Sequence, residues 1–411
     1  MSDSVKGASD RDLPALRDRF YSGDMTEIRT AVPIVADRYA PAAAFGQGAQ
    51  AIAASGVVDD IQTWDQLTSW FPQGLWTPDR TPLAGLMPDC DSFPDAFVMA
   101  AFGAASAPGT GLVLSTDSVR RAPAELIQTL LTLANCFEGR AIIQLGAGEL
   151  KQCAPFGHRK AQGIKRLEDI YNIFERLWET DGPIDYEGHF TTLDTAWLGL
   201  AKSHKPEIWG LGGGPRIIDL TTSHADGFAT MAPMVWNTPE EVADQVSAMR
   251  RQLEEKGRDP EAFTFGVWAP MLLHEDPDVI DRALDNDLMR WVTALIGRVN
   301  QADWEKTGLE SPMPHDWHYA VKLLPLKVSE SQAIEWIGRT TRRHSELTWL
   351  YGTPDEVTDQ LLPFIEAGVS QVSFIDLLPF VLDPEDAMTA IRRPIEASGL
   401  LKQKAGALVT T

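Results

Sequence analysis

Three short stretches hold the residues best suited to chemistry. In Leu211-Gly212-Gly213-Gly214-Pro215-Arg216, three glycines let the backbone come close to a ligand, and a proline then opens a helix whose first amides point back at the loop. Free amides at a helix start suit a phosphate; the competing reading is a tight turn and nothing more. In Gly146-Ala147-Gly148-Glu149 the glycines would let a flat ring lie against the backbone, with Glu149 as an acid beside it. A solvated loop glutamate, or a cap on the following turn, is the plainer alternative. In the third stretch Asp65 and Gln66 follow Trp64 and precede Trp70. An indole offers a broad apolar face to a ring-shaped ligand, although core packing is the better account of Trp64.

Other chemistries lack their marks. The 8 histidines show neither H-x-x-x-H nor H-E-x-x-H spacing, so no metal site is expected. No serine sits in a G-x-S-x-G elbow, which weighs against a hydrolase. The 3 cysteines, Cys90, Cys136 and Cys153, form no C-x-x-C pair, which points to a reducing, cytoplasmic setting; Cys136 reads as core. A net charge of -22 argues against a nucleic-acid partner. A polyanionic ligand would then need a local basic patch. Arg120, Arg121, Arg159, Lys160, Lys165 and Arg166 are the nearest candidates, each equally readable as a solvated charge. No apolar run reaches the roughly 18 residues of a membrane span, and the first 27 residues lack a secretory signal's apolar stretch.

The elements that must position these stretches alternate. Strands are expected over 28–35, 57–64, 111–115, 141–145, 208–211, 228–231, 263–269 and 372–377. Between them lie helical patterns, the clearest being the stripe of Ile164, Leu167, Ile170, Tyr171, Phe174, Leu177 and Trp178. A small hairpin is expected over 184–193. Thr238-Pro239-Glu240-Glu241 and Thr353-Pro354-Asp355-Glu356 are helix starts, each with a capping hydroxyl, an early proline and acids at the positive dipole end. Eight strands mostly separated by helices imply an α/β fold of the (β/α)₈ TIM-barrel type, with an open doubly wound sheet as the structural rival. The chain then divides into an extension over 1–27 and one barrel over 28–411, with a helical insertion over 277–345 between the seventh and eighth strands. In such a barrel the residues just past each strand form the site. These are Asp65, Gln66 and Trp70; Thr116 and Asp117; Gly146, Gly148 and Glu149; Gly212, Gly213 and Gly214; and Thr230 and Met231.

At these residues the chain resembles a known family. Glu207-Ile208-Trp209, the glycine loop through Arg216, and Ala225-Asp226-Gly227 are similar to the signature of luciferase-like flavin and deazaflavin oxidoreductases. So are Gly139-Arg140-Ala141-Ile142 with Gly146 to Glu149, and Gly352 to Val357 with Ala367-Gly368-Val369. The likeness covers roughly 28–377 and is strong from Thr110 onward. Thr116-Asp117, Arg120-Arg121, Pro155-Phe156-Gly157 and the stretch 304–314 bring it nearer the branch that uses coenzyme F420, especially ketoreductases of the mycobacterial phthiodiolone type. Methylenetetrahydromethanopterin reductases and deazaflavin sugar-phosphate dehydrogenases are more distant.

The resemblance implies a luciferase-like barrel, usually a homodimer, with the coenzyme ring over the strand ends and its phosphate on the glycine loop. Its coenzyme site would comprise Asp65, Ser115, Thr116, Gly146, Gly148, Gly212, Gly213, Gly214, Pro215 and Met231. A cis peptide would fall near Leu114-Ser115. Glu149, Gln66 and Trp70 would be the catalytic set. One departure matters: many deazaflavin enzymes carry histidine where this chain has Gln66. Glutamine hydrogen-bonds a substrate oxygen but does not shuttle a proton near neutral pH, so the proton falls to Glu149. The expected reaction is hydride transfer between F420 and a carbonyl or alcohol carbon of a lipid-like or aromatic small molecule. The rivals are an FMN-dependent monooxygenase on the same fold and a non-catalytic flavin-binding protein.

Overall fold

The computed structural model describes residues 28–409, so the expected extension over 1–27 lies outside the described residues. In chain order the strands are β1 (Arg29–Pro33), β2 (Asp60–Trp64), β3 (Gly111–Asp117), β4 (Ala141–Gly146), β5 (Ile184–Glu187), β6 (Thr192–Ala196), β7 (Glu207–Leu211), β8 (Gly227–Met231), β9 (Thr264–Leu273), β10 (Leu350–Gly352) and β11 (Gln371–Asp376). β1, β2, β3, β4, β7, β8, β9 and β11 are parallel neighbours in that cyclic order, and β9 pairs with both β8 and β11, which closes the barrel. β5 and β6 form an antiparallel hairpin outside it.

Parallel strands are covered on both sides, and β3 is buried at every residue. Outward-facing side chains such as Leu112, Ile143, Phe228 and Phe374 meet the surrounding helices in the main core. Inside the barrel, Ala31, Val113, Ile142, Ala229 and the fully buried Trp209 form a separate cluster. The indole of Trp209 fits because two neighbouring strand positions are glycine. A Cβ on Gly227 or Gly266 would lie 2.6 or 2.7 Å from it.

Both helix starts form as their residues indicate. Thr238 accepts the amide of Glu241 at the head of helix Pro239–Glu255. Thr353 and Glu356 make a reciprocal capping box at the head of helix Pro354–Glu366. The striped helix Gly163–Glu179 begins at a glycine pressed on the turn after β4; a Cβ there would lie 1.9 Å from the carbonyl oxygen of Ala147. That contact fixes the turn carrying Glu149.

The chain between β9 and β10 is helical, from Pro277–Asp285 to Arg342–Thr348. It shares a second apolar core with the Trp- and Pro-rich segment after β2. Trp291, Leu295 and Trp349 pack there with Phe71, Leu75 and Trp76, and the Trp291 indole donates to the carbonyl of Trp70 at 2.8 Å. This second core roofs one side of the barrel mouth.

Five expectations need correction. β10 escapes the pattern because it is three residues long, and β9 runs on to Leu273 because β10 pairs with its last three residues. The first strand is shorter than 28–35, holding five residues. Leu114–Ser115 is trans; among the described residues the cis peptide is Ala232–Pro233. Cys136 is exposed, on the outer face of its helix.

Asp376 closes β11. Its Oδ1 accepts the amides of Leu378 (3.0 Å) and Leu273 (3.4 Å), while its Oδ2 is enclosed without a hydrogen-bond partner among the described residues. Burial pushes the carboxyl up from 3.8 to about 7, against the pull of those amides and of Arg393. The folded state therefore prefers the proton, and the group costs stability progressively as pH rises from the unfolded value through the folded one. Asp376→Asn keeps both amide bonds and removes the buried charge. Thermal unfolding of the variant is expected to rise by a few degrees at pH 8 and by less at pH 5; equal gains at both would contradict the buried charge.

Candidate active site

All eight barrel strands end on one rim, and the rim has two sectors. Over β1, β2, β8, β9 and β11 lies a cavity with about 1000 Å³ of empty space, its open mouth included. Trp64, Trp70, Phe71, Met231, Met234 and Trp268 supply much of its wall, and Gln66 is one of its few polar groups. The Gln66 amide makes no hydrogen bond to another described residue, so it is free for a ligand. Trp64, expected in the core, instead faces this cavity, 6.1 Å from the Trp268 ring. Trp268 is held by its indole N–H on Gln144 Oε1 at 2.8 Å.

The second sector spans β3, β4 and β7. Gly146 sits where these strands converge: a Cβ there would lie 3.5 Å from the Leu211 carbonyl and 3.8 Å from that of Thr116, ordinary contacts that leave the position open above. Gly148 serves the turn itself, with φ +77° and a would-be Cβ facing Cys153 and Val119. Gly213 packs on Val235, and Gly214 has no atom within 4 Å of a would-be Cβ. Past them runs helix Pro215–His224. The amides of Gly213, Gly214 and Arg216 have no protein acceptor among the described residues. Close by, the buried Thr230 hydroxyl is also unpartnered, 3.8 Å from the would-be Gly213 Cβ. Open space, free amides and an orphan hydroxyl fit a phosphorylated group.

Asp65, Ser115 and Thr116 do not line the cavity. Asp65 ties the strand ends together: its Oδ2 accepts the Thr116 hydroxyl at 2.8 Å and pairs with Arg120 at 3.0 Å and Arg121 at 3.6 Å. Arg120 also binds Asp117, and Arg121 binds Asp95. Two of the six candidate cations are thus committed to protein carboxylates. Arg159 and Lys165 are exposed, and Arg166 lies over the Phe190 ring. Lys160 is half-buried beside Glu149 and His318, and burial holds it below its ordinary value.

Trp70 and Glu149, 79 positions apart in number (149 − 70), meet through residues outside the expected set. The short helix Leu150–Cys153 after β4 docks on the loop after β2. Gln152 Oε1 accepts the amides of Leu67 and Thr68, and its Nε2 donates to the Thr68 carbonyl. Lys151, with 1% of its side chain exposed, donates to the same carbonyl at 3.1 Å, pairs with Glu149 at 3.1 Å and sits 5.5 Å from the Trp70 ring centroid. From the insertion, Tyr319 stacks on Trp70 with centroids 5.0 Å apart, and its phenol faces the Glu149 carboxylate. Burial, with the facing carboxylate, holds that phenol protonated far above its usual range. Burial lowers Lys151, while Glu149 opposes the loss of its proton. The E-x-K spacing of Glu149 and Lys151 is a signal the residues offered. The approach of Tyr319 across a long insertion left no local trace.

The molecule is thus a closed parallel α/β barrel whose strand ends carry an apolar cavity and a glycine turn with free amides. Residues 73–371 match the luciferase-like monooxygenase family model, and the chain belongs to that family. Among curated relatives, the phthiodiolone/phenolphthiodiolone dimycocerosates ketoreductase of Mycobacterium tuberculosis is 27% identical over 334 residues, covering 79% of this chain and 86% of that protein. The F420-dependent glucose-6-phosphate dehydrogenase of Nakamurella multipartita is 24% identical, over 64% and 70% of the two chains. A solved F420-dependent secondary alcohol dehydrogenase, in complex with an F420-acetone adduct, superposes with TM-score 0.67 at 16% identity, over 90% of this chain and 99% of that one; this likeness speaks to the fold.

Because nothing crowds a Cβ on Gly214, Gly214→Ala should leave the melting temperature unchanged. If a phosphate occupies the space, coenzyme affinity should fall roughly tenfold, about 1.4 kcal/mol. Fluorescence titration beside a melting curve checks both, and unchanged affinity would empty the cradle of its assigned role.

Proposed function

We propose that this protein is an F420-dependent oxidoreductase that moves a hydride between the deazaflavin and a carbonyl or alcohol carbon of an apolar, lipid-like or aromatic substrate. One observation carries the reading: the cup of tryptophans and methionines adjoins, on the same rim, the acid of Glu149 and a glycine cradle with free amides. The sequence relatives named as a ketoreductase and as an F420-dependent dehydrogenase support the coenzyme and the reaction class. The bound deazaflavin supplies the two-electron hydride chemistry.

The chain's own residues do the rest. Gly213, Gly214 and Arg216 would offer their amides, and Thr230 its hydroxyl, to the coenzyme phosphate. Gly146 leaves room for the ring to approach the backbone. The apolar wall excludes water and takes up the substrate's hydrocarbon part, whose burial contributes about 25 cal/mol per Å². Trp70 presses the reacting end toward the ring. Gln66 donates its amide N–H to the substrate oxygen and polarises it. Glu149, a carboxylate while paired with Lys151, would take the proton of a substrate hydroxyl during oxidation; in the reverse direction its protonated form would return that proton to the substrate oxygen.

A second reading, FMN-dependent oxygenation, draws on the family's own name, because a phosphate cradle serves FMN as well. Titration with F420 and with FMN, read by fluorescence quenching, separates the two; tight FMN binding without F420 binding would overturn the first. A non-catalytic flavin carrier would bind coenzyme but show no rate with reduced F420 and a panel of ketones. Glu149→Gln is expected to lower kcat by roughly 10²–10⁴-fold with coenzyme affinity nearly kept. Turnover that survives the change removes Glu149 from the mechanism.

A further inference from the structure

We propose that Lys151 is the positioning residue of this site: a single buried ammonium that holds Glu149 and Trp70 in register with each other. The inference rests on the assignment of Glu149 above and adds a residue that acts through it.

The geometry is specific. Lys151 leaves the turn after β4, yet its side chain runs under the loop after β2. There the Nζ meets the Thr68 carbonyl and the Glu149 carboxylate, each at 3.1 Å, and the Trp70 ring centroid at 5.5 Å. One charge thus touches both loops that carry the candidate acid and the candidate substrate-pressing indole. Burying an ammonium is costly unless it is paired and hydrogen-bonded, and this one is both. The Gln152 side chain shares the docking of the two loops through Leu67 and Thr68 and hydrogen-bonds neither the Glu149 carboxylate nor Trp70; its backbone N–H donates to the Glu149 carbonyl at 3.1 Å. The pair therefore separates into a neutral staple and a charged one.

The charged groups around Lys151 are few. Glu149 favours its proton, as does Asp91 from the segment before helix Ala96–Ser106, while Arg120 from the loop after β3 disfavours it. Facing Glu149 are Lys160, His318 and the Tyr319 hydroxyl. Burial sets Lys151 below its ordinary 10.5, whereas Tyr319 keeps its proton well beyond that range. Turnover should then fall on the alkaline side, as the ammonium loses its proton and its hold on Glu149 and Trp70.

The experiment compares kcat against pH, and F420 affinity by fluorescence titration, for the wild type, Lys151→Met, Lys151→Arg, Gln152→Met and Glu149→Gln. The wild type should show an alkaline limb. Lys151→Met should lower kcat roughly 10–100-fold, with coenzyme affinity kept and the limb gone, as displacement of a reacting group by about 1 Å can cost 10²-fold. Lys151→Arg, whose guanidinium stays charged, should push the limb out of range, and it decides the matter if the methionine variant does not fold. Gln152→Met should keep the limb. A wild type without an alkaline limb, or a limb unmoved in Lys151→Arg, overturns the proposal. If Glu149→Gln retains full turnover, the assignment of Glu149 fails instead, which is a separate result.

Discussion

Closure of the parallel sheet is the constraint on which the remaining structure depends. β9 pairs with both β8 and β11, so none of the eight barrel strands is left with a free edge, and all eight present their carboxyl ends to the same rim. A parallel strand needs a crossover before the next begins, so the turns leaving that rim lead away from the sheet and do not run straight into a neighbouring strand. They hold the glycines, the proline and the charged residues of the candidate site. Closure in turn depends on how the interior is filled. Trp209 occupies it because Gly227 and Gly266 leave space around the indole.

Above the rim, two kinds of packing meet. The second core, built by the insertion and the segment after β2, is apolar and places aromatic rings along the cavity wall. The opposite sector is bound by charge: Asp65 with Arg120 and Arg121, and Glu149 with Lys151. Apolar burial is non-directional and yields a roomy cup; charge-assisted hydrogen bonds are directional and fix individual atoms. On the proposed reading, in which the site takes up an apolar substrate and moves one proton, each task has its own side.

Committing Asp65 to arginines has a consequence for the coenzyme. The chain carries a charge of -22, and two of its nearest cations are spent on joining strand ends. Neutral donors, namely backbone amides and the Thr230 hydroxyl, are what the proposed cradle would offer a phosphate. Such donors bind an anion without the desolvation cost of a buried cation, and their pull is less sensitive to salt than that of surface lysines.

The sequence alone determined the barrel, its strand order, the two capped helices, the glycine run after β7 and the presence of an acid after β4. Each of these is written in local spacing: an apolar period, a threonine-proline start, a run of glycines. Three things were decided by the tertiary structure. Trp64 faces the cavity where core packing was the better expectation, because the interior below it is filled by Trp209 and Gln144 rather than by Trp64. Asp65 joins strands and does not line the cup, because Arg120 and Arg121 arrive from the neighbouring loop. Lys151 and Tyr319 enter the site from a turn and from a distant insertion, through contacts between residues far apart in the chain. Local periodicity records which face of an element is buried, but not which charge or ring from elsewhere will meet it there; that depends on how the elements pack.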